Sequence, residues 1–168
     1  MEDYIEVRQI SSCAIKSRIV FSTIGVFVGL SICAVFGAHY HNYNVALWGL
    51  TSGIAAAVAL GVTIAYIKHM WDSNPRRLKG FMLAGCFIQL AGVCGFVTYL
   101  VLAITNNQDL IVYGPGYYLT CVWCFMTWKW GFWLLIYSRS FLRSYGDADR
   151  MIQGEDVVGK HSFYQSIH

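Results

Sequence analysis

Four long apolar runs decide what this chain can fold into. They extend from Ile19 to Ala38, from Val45 to Ile67, from Phe81 to Ile104 and from about Tyr117 to Tyr137. Each matches the ~20 mostly apolar residues that a helix needs to cross the hydrocarbon of a bilayer. The first two carry no charge, and the fourth carries one, Lys129. The links between them, 39–44, 68–80 and 105–116, are short, so consecutive helices are antiparallel neighbours. A soluble fold is excluded by the same composition: 57% of the 168 residues are hydrophobic and only 12% are charged, about half the charged share of a soluble domain. The expected class is all-α, a polytopic membrane protein with a four-transmembrane-helix bundle. Residues 1–18 precede the bundle, 19–138 form it and 139–168 make a polar tail.

The basic residues orient the bundle. Arg8, Lys16 and Arg18 precede the first span; Lys68, Arg76, Arg77 and Lys79 lie in the second link; Arg139, Arg143, Arg150 and Lys160 follow the fourth span. The first and third links contain no basic residue, and Asp109 is their only formal charge. By the positive-inside rule, the N-terminus, the middle link and the C-terminus are expected in the cytoplasm. The acidic start, with no apolar stretch before Ile19, does not read as a cleavable signal peptide. A net charge of +3 is too small to imply nucleic acid as a partner.

Small residues mark the packing faces. Gly49, Gly53, Ala57 and Gly61 recur every four residues in the second span, and Gly25 and Gly29 do so in the first. Gly85, Gly92 and Gly95 thin one side of the third. Such stripes admit a neighbouring helix closely, either inside the bundle or at the interface of a homo-oligomer. Of the six cysteines, five lie in apolar runs and Cys13 just before the first, so no disulfide framework is expected. Cys121 and Cys124 have redox or metal spacing but read as small buried hydrophobes.

Lys129 is the most informative single residue. It sits between Trp128 and Trp130, about eight residues before the end of its span, hence about 12 Å deep. A charge at that depth faces a cavity, a partner or a substrate, or snorkels along aromatic faces. Rings crowd the same span, with Trp123, Trp130 and Tyr137 on one face. They either fill a core or line a path for a large planar apolar ligand. His39-Tyr40-His41-Asn42-Tyr43 clusters in the first outer link, where imidazole and phenol can ligate iron or copper, sense acid, or form an interfacial belt. Tyr66 and His69, three apart, share a helical face and offer an oxygen and a nitrogen ligand at the cytoplasmic end of the second span. No carboxylate pair, phosphate loop or Ser/His/Asp set is present, so no enzyme is expected. In the tail, Tyr164 and Ile167 frame a Tyr-x-x-apolar pattern of the kind read by clathrin adaptors in endosomal sorting.

The third and fourth spans carry a resemblance. Leu100 to Thr105 (Leu-Val-Leu-Ala-Ile-Thr), Tyr117 to Trp123 (Tyr-Tyr-Leu-Thr-Cys-Val-Trp) and Trp128-Lys-Trp130 are similar to stretches of the heme-responsive gene family of four-span heme transporters. The similarity is strongest from Phe81 to Tyr145. It implies passage of heme, as substrate, from the exterior or an endolysosomal lumen to the cytosol. It implies residence in endosomal or lysosomal membranes, with the plasma membrane a further location. Family members pass heme between ligands at several heights. The span-two ligand falls at Tyr66, or at Thr63 on an ungapped match to a His-bearing member. The outer-loop histidine falls at Asn107. The aromatic-and-basic motif after span four, Phe-Ala-Arg-Lys-Tyr, reads Tyr137-Ser138-Arg139-Ser140-Phe141, so both aromatic ends and Arg139 are kept and Ser140 stands where the lysine would be.

The residues add to this on their own account. His39 and His41 are candidates to replace the missing loop histidine. Lys129 and Arg139 are placed to attract the anionic propionates of heme from the cytoplasmic half. Transport calls for weak ligation at successive stations, because a tight site traps its cargo. Two further classes stay open at this level. One is a non-catalytic membrane scaffold or adaptor packing through its glycine faces. The other is a glutathione-transferring membrane enzyme, which would need more intramembrane basic residues than Lys129.

Overall fold

The structure, a computed structural model, describes residues 11–71, 74 and 76–165, with side chains as far as residue 146. Four helices follow in order: α1 Ser12–Ala38, α2 Tyr43–Ile67, α3 Arg77–Thr105 and α4 Tyr117–Gln165. All four are long and apolar enough to cross a membrane, and the described residues contain no strand. The chain is therefore an all-α, four-span membrane protein.

Three of the helices outrun their apolar segments by four residues or more. α1 begins seven residues before Ile19, and α3 begins at Arg77 rather than Phe81. α4 does not stop at Tyr137 but continues unbroken to Gln165. Hydropathy marks where a helix meets lipid, not where its hydrogen bonding ends. No proline follows Pro115, so nothing removes a backbone donor from the extension. The expected boundary at 138/139 is thus no break in the backbone. Tyr164 falls in the last turn of α4, and Ile167 lies outside the described residues.

α1 packs on α2, α2 on α4, and α4 on α3. The middle pair supplies most of the core, including Val45, Ala55, Ala56, Ala59 and Val62 from α2 and Trp130, Leu134, Tyr137 and Phe141 from α4. α1 buries only Ser22 and Gly29. The outer faces carry exposed Phe27, Leu30, Leu83, Phe87 and Leu90, the surface a lipid-embedded protein presents.

Glycines set the spacing. A Cβ on Gly29 would sit 2.5 Å from Gly53 Cα, so α1 and α2 touch backbone to backbone there. Gly49 meets Ile32 of α1, Gly85 meets Gly131 of α4, and Gly92 receives Trp128. The α2 stripe divides in two: Gly49 and Gly53 face α1, whereas Ala57 and Gly61 are exposed and Gly61 has open space before it.

The antiparallel order gathers the helix ends into two groups. The start of α1, the end of α2 and the extension of α4 meet where Phe141 contacts both Arg18 and Tyr66. This is the charge-rich end. At the other end the Gly114 N–H donates to the Tyr40 carbonyl over 3.2 Å and joins the first and third links. Asn42 caps α2 there, accepting from the Val45 N–H.

Candidate functional site

At the charge-rich end, residues from three helices form one aromatic site. The Tyr66 ring of α2 stacks on Phe141 of α4, 4.2 Å between centroids and 18° between planes. Its hydroxyl lies 3.3 Å from Ser144 Oγ. Arg18 of α1 lies over the same group, its Cζ 4.7 Å from the Tyr137 centroid and 5.2 Å from that of Phe141. Tyr137 and Phe141 are buried, and α4 brings them together because positions four apart share a helix face. Thr63, the other candidate for a span-two ligand, is buried and donates to the Ala59 carbonyl of its own helix. Tyr66 is the residue of the two that faces the site.

A seam of rings leads from this site between α1 and α4. Tyr137 contacts Trp133 at 5.6 Å; Phe21 of α1 contacts Trp130 at 5.2 Å and Trp133 at 6.0 Å. Lys129 lies against the seam, its Nζ 4.9 Å from the Phe21 centroid and 5.0 Å from that of Trp130. No carboxylate pairs with it among the described residues. The Trp130 ring rests directly on Gly25, so the first-span glycine makes room for a tryptophan of the seam. α1 and α4 meet through these long side chains rather than by close approach of their backbones.

The opposite end holds a second aromatic group. His39 lies edge-on to Tyr40 at 4.8 Å, Tyr40 to Tyr113 at 4.9 Å, and His39 is 6.3 Å from Tyr113. His41 goes to a different neighbour, Tyr43, at 6.4 Å.

Two expectations need correction. His69 does not share a helical face with Tyr66. α2 ends at Ile67, and His69 adopts a left-handed backbone, φ 55°, in the turn beyond it. Asn107 is in the same state, φ 45°, after α3. In both places the left-handed residue's own N–H and the one after it turn back onto the helix: His69 to Tyr66 and Met70 to Ala65, Asn107 to Ile104 and Gln108 to Ala103. That is the pattern by which a left-handed residue ends a helix and satisfies its last carbonyls. Arg139, in turn, is exposed rather than turned into the ring site, whose cation is Arg18. Pattern reading missed Arg18, whose only signal was its place immediately before the first apolar run. It also missed Tyr113, beside the Gly-Pro turn of the third link.

Cys121 and Cys124 are buried, and Cys121 Sγ points at the Phe96 carbonyl, 3.7 Å away. On the outer side of α4, Phe125, Trp128 and Phe132 stack in a ladder beside an apolar hollow of about 150 Å³ lined by Gly92, Val93 and Phe96.

Comparison with known proteins bears on this arrangement. Residues 78–130 match the family model described as haem-transporter, endosomal/lysosomal, haem-responsive gene. The chain is also 30% identical, over 135 residues, to the heme transporter hrg-1 of Caenorhabditis elegans, an alignment covering 74% of this chain and 69% of that one. The chain belongs to the heme-responsive gene family. Membership and the four spans make it a multi-pass protein of endosomal and lysosomal membranes. The family match takes in α3 and the first part of α4, including Asn107 and Lys129. No solved structure matches the chain.

Proposed function

We propose that this chain carries heme from the lumen of endosomes or lysosomes, or from the exterior, into the cytosol, passing it between single weak ligands. One observation beyond family membership carries the reading. Tyr66, Tyr137 and Phe141, picked out separately on α2 and α4, converge on one ring site that continues into a seam holding Lys129. Heme is planar and apolar with an anionic edge. A packed seam of flat rings flanked by cations is complementary to both parts.

The direction rests on charge. The aromatic site lies among the basic residues, which face the cytoplasm under the positive-inside rule. His39, between Tyr40 and Tyr113, then faces the lumen and offers a nitrogen for first capture of iron, with His41 nearby in sequence. Lys129 attracts the propionates inward, and Tyr66 offers a phenol oxygen at the far end. The glycine faces give the scaffold reading little support, because most of them are spent on contacts within the bundle.

Growth of heme-auxotrophic yeast tests the proposal. Cells expressing the chain are expected to grow at heme concentrations that do not sustain cells with empty vector. Equal growth of the two, with the protein present at the membrane, overturns it.

A further inference from the structure

We infer that Arg18 is the carboxylate-binding residue at the charge-rich end, receiving a propionate of the porphyrin beside the buried rings of Tyr137 and Phe141. The inference deepens the heme-transport reading and rests on it. Arg139 was the expected cation of this end, but it is exposed. Arg18 reaches across from α1 and lays its guanidinium over both rings.

The guanidinium is held but not satisfied. Nη2 donates to Ser140 Oγ over 3.4 Å, at the long, weak end for a hydrogen bond. Nη1 is buried and has no hydrogen-bond partner. No carboxylate of the described residues pairs with the group. Leaving a charged donor unpaired away from water is costly, so the arrangement favours an anion brought in from outside. A guanidinium presents two parallel N–H groups that match a carboxylate, which an ammonium does not. The guanidinium is held by an aromatic cluster whose faces are already packed, Phe141 on Tyr66 and Arg18 over Tyr137 and Phe141, so the anion meets it at the edge of an apolar aromatic surface that suits a flat apolar body. Arg18, positioned by these rings, thus acts as receptor for the carboxylate edge of a planar molecule.

Anionic oxygen could also come from a lipid phosphate, and the test separates the two. The full chain is reconstituted in phosphatidylcholine vesicles, with and without phosphatidylglycerol. Uptake of zinc protoporphyrin, a fluorescent dicarboxylate, is compared with that of its dimethyl ester. Wild-type protein is expected to favour the dicarboxylate in phosphatidylcholine alone. Arg18→Gln is expected to lower the dicarboxylate-to-ester uptake ratio about tenfold, the factor that ~1.4 kcal/mol represents; Arg18→Lys recovers part of it. Ser140→Glu provides a control that retains Arg18 and its packing. It sets an internal carboxylate against the guanidinium, and the same fall in ratio is expected.

A ratio unmoved by Arg18→Gln and Ser140→Glu overturns the inference, as does an equal fall in both substrates, which marks Arg18 as packing only. A preference seen only with phosphatidylglycerol present assigns Arg18 to lipid and also overturns it. Wild-type protein that moves neither porphyrin overturns the transport reading itself.

Discussion

His41, His69 and Asn107 share one backbone state, with φ of 50°, 55° and 45°. Left-handed conformations cost most side chains ~1 kcal/mol or more, and Asn, Asp and His are the commonest non-glycine residues found there. The composition of these positions therefore answers first to chain turning. It leaves Asn107 free to change. Asn107→His keeps a tolerated residue at the α3 stop and adds an imidazole where the sequence resemblance would put the outer-loop histidine. We expect unaltered thermal unfolding in detergent and tighter heme binding in a Soret titration; no gain in affinity contradicts a ligand station at this height. Tyr66 gives the converse case. Tyr66→Phe retains the stack on Phe141 and loses only the hydroxyl with its contact to Ser144, worth ~1 kcal/mol. Several-fold slower heme uptake with a near-normal melting temperature is expected, and unchanged uptake removes Tyr66 as a ligand. Of the candidate site, Tyr66, Tyr137 and Lys129 were legible because aromatic and charged side chains in lipid stand out by type, and Phe141 only through the resemblance to the family motif after the fourth span. Arg18 was not legible. Nothing local in residues 12–19 says that this arginine spans to a turn of helix more than a hundred residues later.

At the scale of elements, the small-residue stripes make opposite predictions for residues that look alike in sequence. Gly29 meets Gly53 at a separation no added carbon can enter, whereas Gly61 faces open space. Gly29→Leu forces α1 from α2 and is expected to cost about 1–3 kcal/mol, the usual range for overpacking. Gly61→Ala is expected to leave stability unchanged or raise it, since alanine is the better helix former. Chemical denaturation of the purified protein in detergent compares them, and equal effects contradict the packing described. Periodicity disclosed that these faces admit close neighbours but not which neighbour each admits. That depends on helix rotation, which tertiary packing sets. The same limit explains α4: loss of hydropathy after Tyr137 was visible, but continued hydrogen bonding to Gln165 was not.

For the whole molecule, the helix order brings two unlike ends into register. One gathers the basic residues with the Arg18–Tyr66–Phe141 site; the other holds His39, Tyr40 and Tyr113 and is nearly free of formal charge. Single-cysteine labelling in a background lacking the native cysteines tests the orientation. An impermeant maleimide applied to intact vesicles of cytosolic-side-out orientation is expected to label a cysteine at Asn74 and spare one at Asp109; the reverse pattern inverts the proposed direction of transport. The account as a whole stands on movement of heme by this chain. The most direct measurement uses the purified full chain in vesicles loaded with apomyoglobin, following the holomyoglobin Soret band after heme is added outside. The account predicts a rate well above that of protein-free vesicles, lowered several-fold by Lys129→Met. A rate equal to that of protein-free vesicles contradicts it.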